Sequence, residues 1–321
     1  MKLGNNIFPN VWCAVGAVGF MDEGYPFDPI LRLVGKDWTG VGRAYKTVTA
    51  YPNEGNMPLE ENGLKPRQFI PDCVVSNLWN GHTLNAVGLS NRGLEHYLSK
   101  RYWQTLDQPF SLSHYAILGT AAERRQEDRR FVELVRQYGP FKAPILIQRN
   151  WGCPNTSHKI TDLLDEIGES HETLAELGYP VFANFGVTTS VKILKWVVRE
   201  TACGGLWLAN TVPWDDIRFD RQRLFGSEIS PLKRRGFKQP GGGSGPSFLA
   251  FALDRTSDLR DEGYAGSIIV GNGIQLPNDV VRARKAGATG IAYGTGANLR
   301  TCWMRSTLRT AFELFAEEGD D

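Results

Sequence analysis

Gly266–Gly296 reads GSIIVGNGIQLPNDVVRARKAGATGIAYGTG. The apolar, β-branched run that reaches Val270 has the character of a buried strand and ends in Gly-Asn-Gly. A helical pattern from Pro277 to Ala286 follows, and a second apolar run, Thr289–Gly294, closes on another glycine turn. Strand, helix and strand in so short a span make a parallel βαβ unit. The same alternation continues outward. Strands are expected at Val11–Val15, Val41–Lys46, Tyr115–Gly119, Pro144–Arg149, Tyr179–Asn184 and Gly205–Asn210, ahead of Gly266–Gly271 and Thr289–Gly294. Helices are expected at Pro26–Val34, Ala121–Tyr138, Ile160–Leu177, Ser190–Thr201, Pro246–Glu262, Pro277–Ala286 and Ala297–Ala316. Eight such strands joined by helices predict a (β/α)8 barrel, with residues 1–321 forming a single domain. The competing open doubly wound sheet would carry G-x-G-x-x-G after its first strand, and Val11–Phe20 lacks it.

Composition narrows the partners. The 36 basic and 35 acidic residues leave a formal charge of +1, which gives no field for nucleic acid or an anionic membrane surface. No apolar run approaches the length that spans a bilayer. The first residues lack a secretory or transit pattern, so the cytoplasm is the expected compartment. The five cysteines, Cys13, Cys73, Cys153, Cys203 and Cys302, are far apart and form neither C-x-x-C pairs nor metal-ligand spacings with histidine; reduced thiols and no metal are expected. A small-molecule substrate is what remains.

Two stretches exceed a simple connection. Ala50–Tyr97 follows the second strand, and the Arg- and Lys-rich Thr211–Pro240 follows the sixth. Both leave the carboxyl end of a strand, where barrels place their active sites. The charges of the second stretch read most simply as a solvated surface. At the same barrel mouth the strands end in Lys46, Asn150, Asn184, Asn210–Thr211, Gly271–Asn272–Gly273 and Gly294–Thr295. One strand-end asparagine is usually a turn residue. Four convergent amides and a lysine instead suit a planar ligand that alternates carbonyl and N–H groups, such as a pyrimidine or an isoalloxazine. The glycine turns Gly241–Gly245, Gly271–Gly273 and Gly294–Gly296 suit a phosphate, held by backbone N–H groups. Cys153, in Asn150–Trp151–Gly152–Cys153–Pro154–Asn155, sits on a loop at this mouth and is placed to act as a base once its thiolate is favoured; His158 follows it closely.

Taken together these motifs resemble the FMN-dependent dihydroorotate dehydrogenases, in particular the cytosolic class with a cysteine base. The likeness runs in order through Ala14–Val15–Gly16, Tyr45–Thr49, Glu54–Asn56 with Pro66–Arg67, Leu84–Gly93, the N-x-x-C-P-N pattern of Asn150–Asn155, Asn210–Thr211, Gly241–Gly245, Gly271–Ile274 and Gly294–Thr295. The resemblance implies that Cys153 removes a proton from C5 of dihydroorotate while a hydride leaves C6 for the flavin. It implies that Lys46, Asn85, Asn150, Asn155, Asn210 and Thr211 hold the substrate, with backbone from Val87, Gly88 and Leu89. FMN would lie along Ala14, Val15, Lys46, Asn150, Asn184, Gly242, Gly243, Gly271, Asn272, Gly273, Gly294 and Thr295. A homodimer and an iron–sulfur electron-transfer subunit are the implied protein partners; the electron acceptor, fumarate or NAD through that subunit, stays open.

The sequence departs from this family at several points. Its fifth strand usually ends in a lysine beside flavin N1, where this chain has Asn184. Either the flavin potential is lower or another cation, such as Lys192 or Lys195, substitutes. Three alternatives follow: an FMN enzyme for another cyclic amide or enone, a non-catalytic flavin-binding homologue, and a sugar-phosphate aldolase using Lys46.

Overall fold

The computed structural model describes residues 1–152 and 164–316. Eight parallel strands, β1 (Val11–Cys13), β2 (Arg43–Ala44), β3 (Phe110–His114), β4 (Ile145–Asn150), β5 (Val181–Gly186), β6 (Gly205–Asn210), β7 (Ser267–Val270) and β8 (Gly290–Tyr293), form one sheet in the order β1-β8-β7-β6-β5-β4-β3-β2. Its ends meet: Cys13 N–H donates to Gly42 O and Gly42 N–H to Val11 O, both at 2.9 Å. The sheet thus closes into a (β/α)8 barrel. Its interior is filled by large side chains, with the Trp12 and Trp207 rings 5.5 Å apart. Gly205 is required by this filling, because a Cβ there would come within 2.4 Å of the Phe182 ring.

The third strand is Phe110–His114, not the expected Tyr115–Gly119. All five of its residues are buried, yet Ser111 and Ser113 interrupt the apolar run. Ser113 turns its hydroxyl to Thr47 Oγ1 at 2.8 Å, so a strand that is polar on one face hides from a hydrophobicity reading. The single terminal helix expected at Ala297–Ala316 is two, α10 (Thr295–Leu299) and α11 (Thr301–Leu314). Arg300 leaves the helical region between them, at φ −137° and ψ 43°, and its guanidinium donates to Leu78 O and Trp79 O at 2.9 and 3.0 Å. Of the other helices, α1 (Asp28–Leu33), α3 (Ala121–Tyr138), α4 (Leu164–Ala175), α5 (Val191–Glu200), α8 (Pro246–Asp261) and α9 (Pro277–Lys285) fall where the sequence pattern expects them, whereas α2 (Leu94–Ser99), α6 (Arg221–Phe225) and α7 (Pro231–Arg234) are additional. Of these, α2, α6 and α7 lie at or within the long stretches that read as connections. The cap of α3 is a full capping box between Thr120 and Glu123.

Segments of the two long connections are joined over the barrel mouth through Gly242–Ser244. Val212–Pro213, Gly242–Ser244, His82–Asn85 and Val74–Asn77 form an antiparallel sheet in that order, a roof whose register sets Gly242 and Val74 opposite Asn85, and Ser244 and Ser76 opposite Thr83. Beside it, α1 is tied to α10 by Lys36, which donates to Asp28 Oδ1 at 2.6 Å and Asn298 Oδ1 at 2.8 Å with both ionic side chains buried. Lys36→Met strands the Asp28 carboxylate without a cation. Urea unfolding should show a loss of about 3 kcal/mol; an unchanged midpoint would contradict this role.

Candidate active site

A cavity of about 740 Å³ opens at the carboxyl ends of the barrel strands beneath the roof sheet, within the size range of small-molecule sites. Its floor comes from successive strand ends: Ala14 and Val15 after β1, Lys46 and Thr47 after β2, Asn150 and Gly152 at β4, Asn184 in β5, Asn210 and Thr211 at β6, Asn272 and Gly273 after β7, and Gly294 and Thr295 after β8. Its roof includes Thr83, Asn85 and Ser244, and its rim Val87, Gly88 and Leu89. The expected residues therefore converge, with three exceptions. Gly242 and Gly243 are buried inside the roof sheet, where Ser244 reaches the cavity in their place and contacts Thr295 Oγ1 at 2.8 Å. Gly271 spaces β6 from β7, since a Cβ there would meet Ala209 Cβ at 2.6 Å. Cys153, Asn155 and His158, with the start of the helix expected from Ile160, lie outside the described residues.

The floor amides order one another. Asn150 Nδ2 donates to Thr47 Oγ1 (3.2 Å), and Asn150 Oδ1 accepts from Asn210 Nδ2 (2.7 Å) and Gly152 N–H (3.3 Å). Asn184 Nδ2 donates to Asn210 Oδ1 (3.1 Å) and Gln148 Oε1 (3.2 Å), and Asn272 Nδ2 to Asn210 O (2.9 Å). Each amide is thereby fixed in one orientation, which a site reading carbonyl and N–H groups requires. Asn184 Oδ1 and Gln148 Nε2 are buried without a partner among the described residues, a polar remainder that calls for an occupant. Sequence reasoning missed Gln148, although it stands two residues before Asn150 and so shares its face of β4. Asn272 adopts φ +55°, a left-handed conformation that asparagine tolerates better than most residues.

The rim is held in an unusual backbone shape. Leu89 has φ +60°, strained for a leucine. Asn53 Nδ2 donates to Gly88 O (2.8 Å) and Leu89 O (3.0 Å), Asn91 Nδ2 to Leu89 O (2.7 Å) and Asn56 Nδ2 to Ala86 O (2.7 Å). Three side-chain amides thus fix the rim on which substrate contacts were expected. Asn53 and Asn91 gave no separate signal.

Lys46 is buried, with Nζ donating to Ser90 O at 3.2 Å and lying 4.9 Å from the centre of the Phe20 ring. Burial pulls its pKa down to about 8 against the support of Cys73 and Glu23. It is therefore a cation at neutral pH, in surroundings that leave it short of a counter-ion. Neither Lys192 nor Lys195 substitutes for the missing fifth-strand lysine: both lie off the cavity wall, and Lys195 pairs with Glu262.

A second polar cluster backs the segment that leads into Cys153. Trp151 N–H donates to Asn184 O at 2.8 Å, its ring lies 4.2 Å from the Arg149 guanidinium, and its indole N–H donates to His171 Nε2 at 3.0 Å. Burial, reinforced by Arg149, pushes the His171 pKa down to about 3 and keeps the imidazole neutral, as an acceptor must be. Arg149 also reaches Ser170 Oγ (2.9 Å) and Asp128 (3.4 Å). The direction in which Asn150–Gly152 leaves β4 is thus fixed from behind.

The family model described as dihydroorotate dehydrogenase matches residues 3–313. The chain belongs to the dihydroorotate dehydrogenase family. Among curated relatives, the "Dihydroorotate dehydrogenase B (NAD(+)), catalytic subunit" of Listeria monocytogenes serotype 4b is 26% identical over 266 residues, 80% of each chain. The protein of the same name from Alkaliphilus metalliredigens is 28% identical over 265 residues, again 80% of each. Two crystal structures of DHODH from Eimeria tenella share the fold. The ligand-free one has TM-score 0.58 at 17% identity, covering 87% of this chain and 78% of that one; the complex with ferulenol has 0.60 at 15%, covering 85% and 74%.

Dihydroorotate dehydrogenases use FMN, and the cavity fits it. Asn184 Oδ1, without a partner among the described residues, and Lys46, elsewhere on the same cavity wall, offer an acceptor and a cation to an isoalloxazine edge. Ser244, Thr295 and the turns at Gly273 and Gly294 offer hydroxyls and close backbone to a phosphate. Among the described residues no carboxylate lines the cavity to repel that anion.

Proposed function

We propose that this chain oxidises dihydroorotate to orotate in pyrimidine synthesis, with bound FMN and with Cys153 as general base. The observation that carries the reading is the convergence of Asn85, Asn150, Asn210 and Lys46 on one cavity whose wall carries no carboxylate among the described residues, at the root of the N-x-x-C-P-N segment. The bound flavin supplies a hydride acceptor. The chain supplies the rest. Asn85, Asn150, Asn210 and Thr211, with Asn155, hold the ring amides, and the backbone of Val87–Leu89 closes the rim. Lys46 faces the carboxylate as a buried cation. Cys153 takes the C5 proton, and the ordered amides keep that carbon in line with the base.

The relatives are named catalytic subunits of an NAD(+) enzyme. We infer by that likeness an electron-transfer partner subunit bearing an iron–sulfur centre, and a homodimeric core. The proposed compartment is the cytoplasm, in keeping with the free thiols of Cys13, Cys73, Cys203 and Cys302; no described helix is long and apolar enough to cross a membrane.

Asn184 in place of the usual lysine favours a second reading, the same chemistry on another cyclic amide or enone. Steady-state assays of the purified flavoprotein with an artificial acceptor separate the two. Dihydroorotate should exceed dihydrouracil and dihydrothymine in kcat/KM by at least about 10²-fold, because the neutral rings leave Lys46 unpaired. A neutral ring that performs equally well would favour the second reading.

A further inference from the structure

Of the seven basic residues between Thr211 and Pro240, one reaches the cavity. Arg218 pairs with Asp216, Arg221 with Glu228, Lys233 donates to Lys238 O and Arg234 to Ile229 O. Arg235, just past α7, has no acidic partner among the described residues. Its Nη1 donates to Asp72 O at 2.7 Å and Val74 O at 3.2 Å, so an exposed side chain is held by two carbonyls of the roof's edge while the rest of its fork stays unspent. The register locates it. Val74 stands opposite Asn85, at the substrate end, whereas Thr83, Ser244 and Thr295 mark the other end. Cys73 feels the charge of both cations of this end. Burial pushes its thiol up to about 11, and Lys46 and Arg235 are the charges that pull it back.

Lys46 and Arg235 are the charged residues on the cavity wall among the described residues, one on the floor and one at the mouth. A substrate with one carboxylate uses one of them when seated. We propose that Arg235 is the entry cation, which captures the carboxylate of the incoming substrate at the mouth and passes it inward to Lys46. This rests on the functional reading above and adds to it a selection for anionic rings made before the seat is reached. A cation at a cavity mouth acts mainly on the association rate and on its salt dependence.

The test is stopped-flow association of orotate with the purified flavoprotein, followed by the change in flavin absorbance. Arg235→Gln should lower the association rate constant about tenfold at low ionic strength and flatten its decline with salt. Arg235→Lys should recover most of the rate. Lys233→Gln, an equal change of charge two residues away in α7 but off the cavity, should alter it less than twofold. Equal rates and salt slopes for Arg235→Gln and the unaltered protein would overturn the entry role and leave the functional reading intact. An unaltered protein that shows no association with orotate would overturn both.

Discussion

Cys153→Ala is expected to slow the reduction of bound flavin by dihydroorotate by about 10³-fold, in the middle of the range for loss of a general base. Cys153→Ser should fall between the two, because a hydroxyl is a far weaker base at neutral pH. The reasons are positional. Asn150 and Gly152 line the cavity, and Trp151 is locked by His171, Arg149 and the Asn184 carbonyl. The chain is therefore delivered to Cys153 from a rigid root beside the ordered amides. The measurement is anaerobic single-turnover reduction at saturating dihydroorotate. Orotate binding, followed in parallel, separates a lost base from a collapsed site. Unchanged reduction in Cys153→Ala would remove the cysteine from the chemistry.

The second large effect belongs to Lys46. Lys46→Met should weaken orotate binding by about 30-fold, the size of a charge-assisted hydrogen bond of about 2 kcal/mol. In the unaltered protein the same affinity should hold steady below pH 8 and decline above it, since the free lysine loses its proton near that value. The stability effect has the opposite sense. The folded pKa of about 8 lies below the ordinary 10.5, so between these values the unfolded chain binds more protons and stability rises with pH. Below pH 8 the folded state carries the whole cost of a buried, underpaired cation. Lys46→Met should accordingly unfold at higher denaturant than the unaltered protein at pH 7, and that gain should shrink between pH 8 and 10.5. A methionine variant that is less stable at pH 7 would show that Lys46 serves the fold more than the ligand.

Most of the barrel is legible in the amino-acid sequence because parallel strands covered on both faces read as apolar runs. β6, at Gly205–Asn210, and α3, at Ala121–Tyr138, match their expected bounds. β3 escapes that reading because Ser111 and Ser113 turn a polar face to the barrel interior. The roof sheet escapes it for a different reason: its strands are short and join segments far apart in sequence, and no local pattern encodes such pairing. The site divides in the same way. Strand-end residues such as Asn150, Asn210 and Thr295 follow from the barrel itself, while Ser244, Asn298 and Arg235 reach the cavity only through tertiary packing. Gly242 and Gly243 belong to a motif whose working member on the wall is Ser244. The basic stretch around Arg235 reads as a solvated surface, and four of its other cations, Arg218, Arg221, Lys233 and Arg234, do engage partners away from the cavity.

The central claim is that this cavity holds FMN and passes a hydride from dihydroorotate to it. Its most direct test is an anaerobic titration of the purified protein with dihydroorotate, read as the visible flavin band. Stoichiometric bleaching of a copurified flavin, with orotate released, is the predicted result. A flavin band that dihydroorotate leaves unchanged would contradict the assigned substrate, and a protein that binds no flavin would contradict the account of the cavity itself.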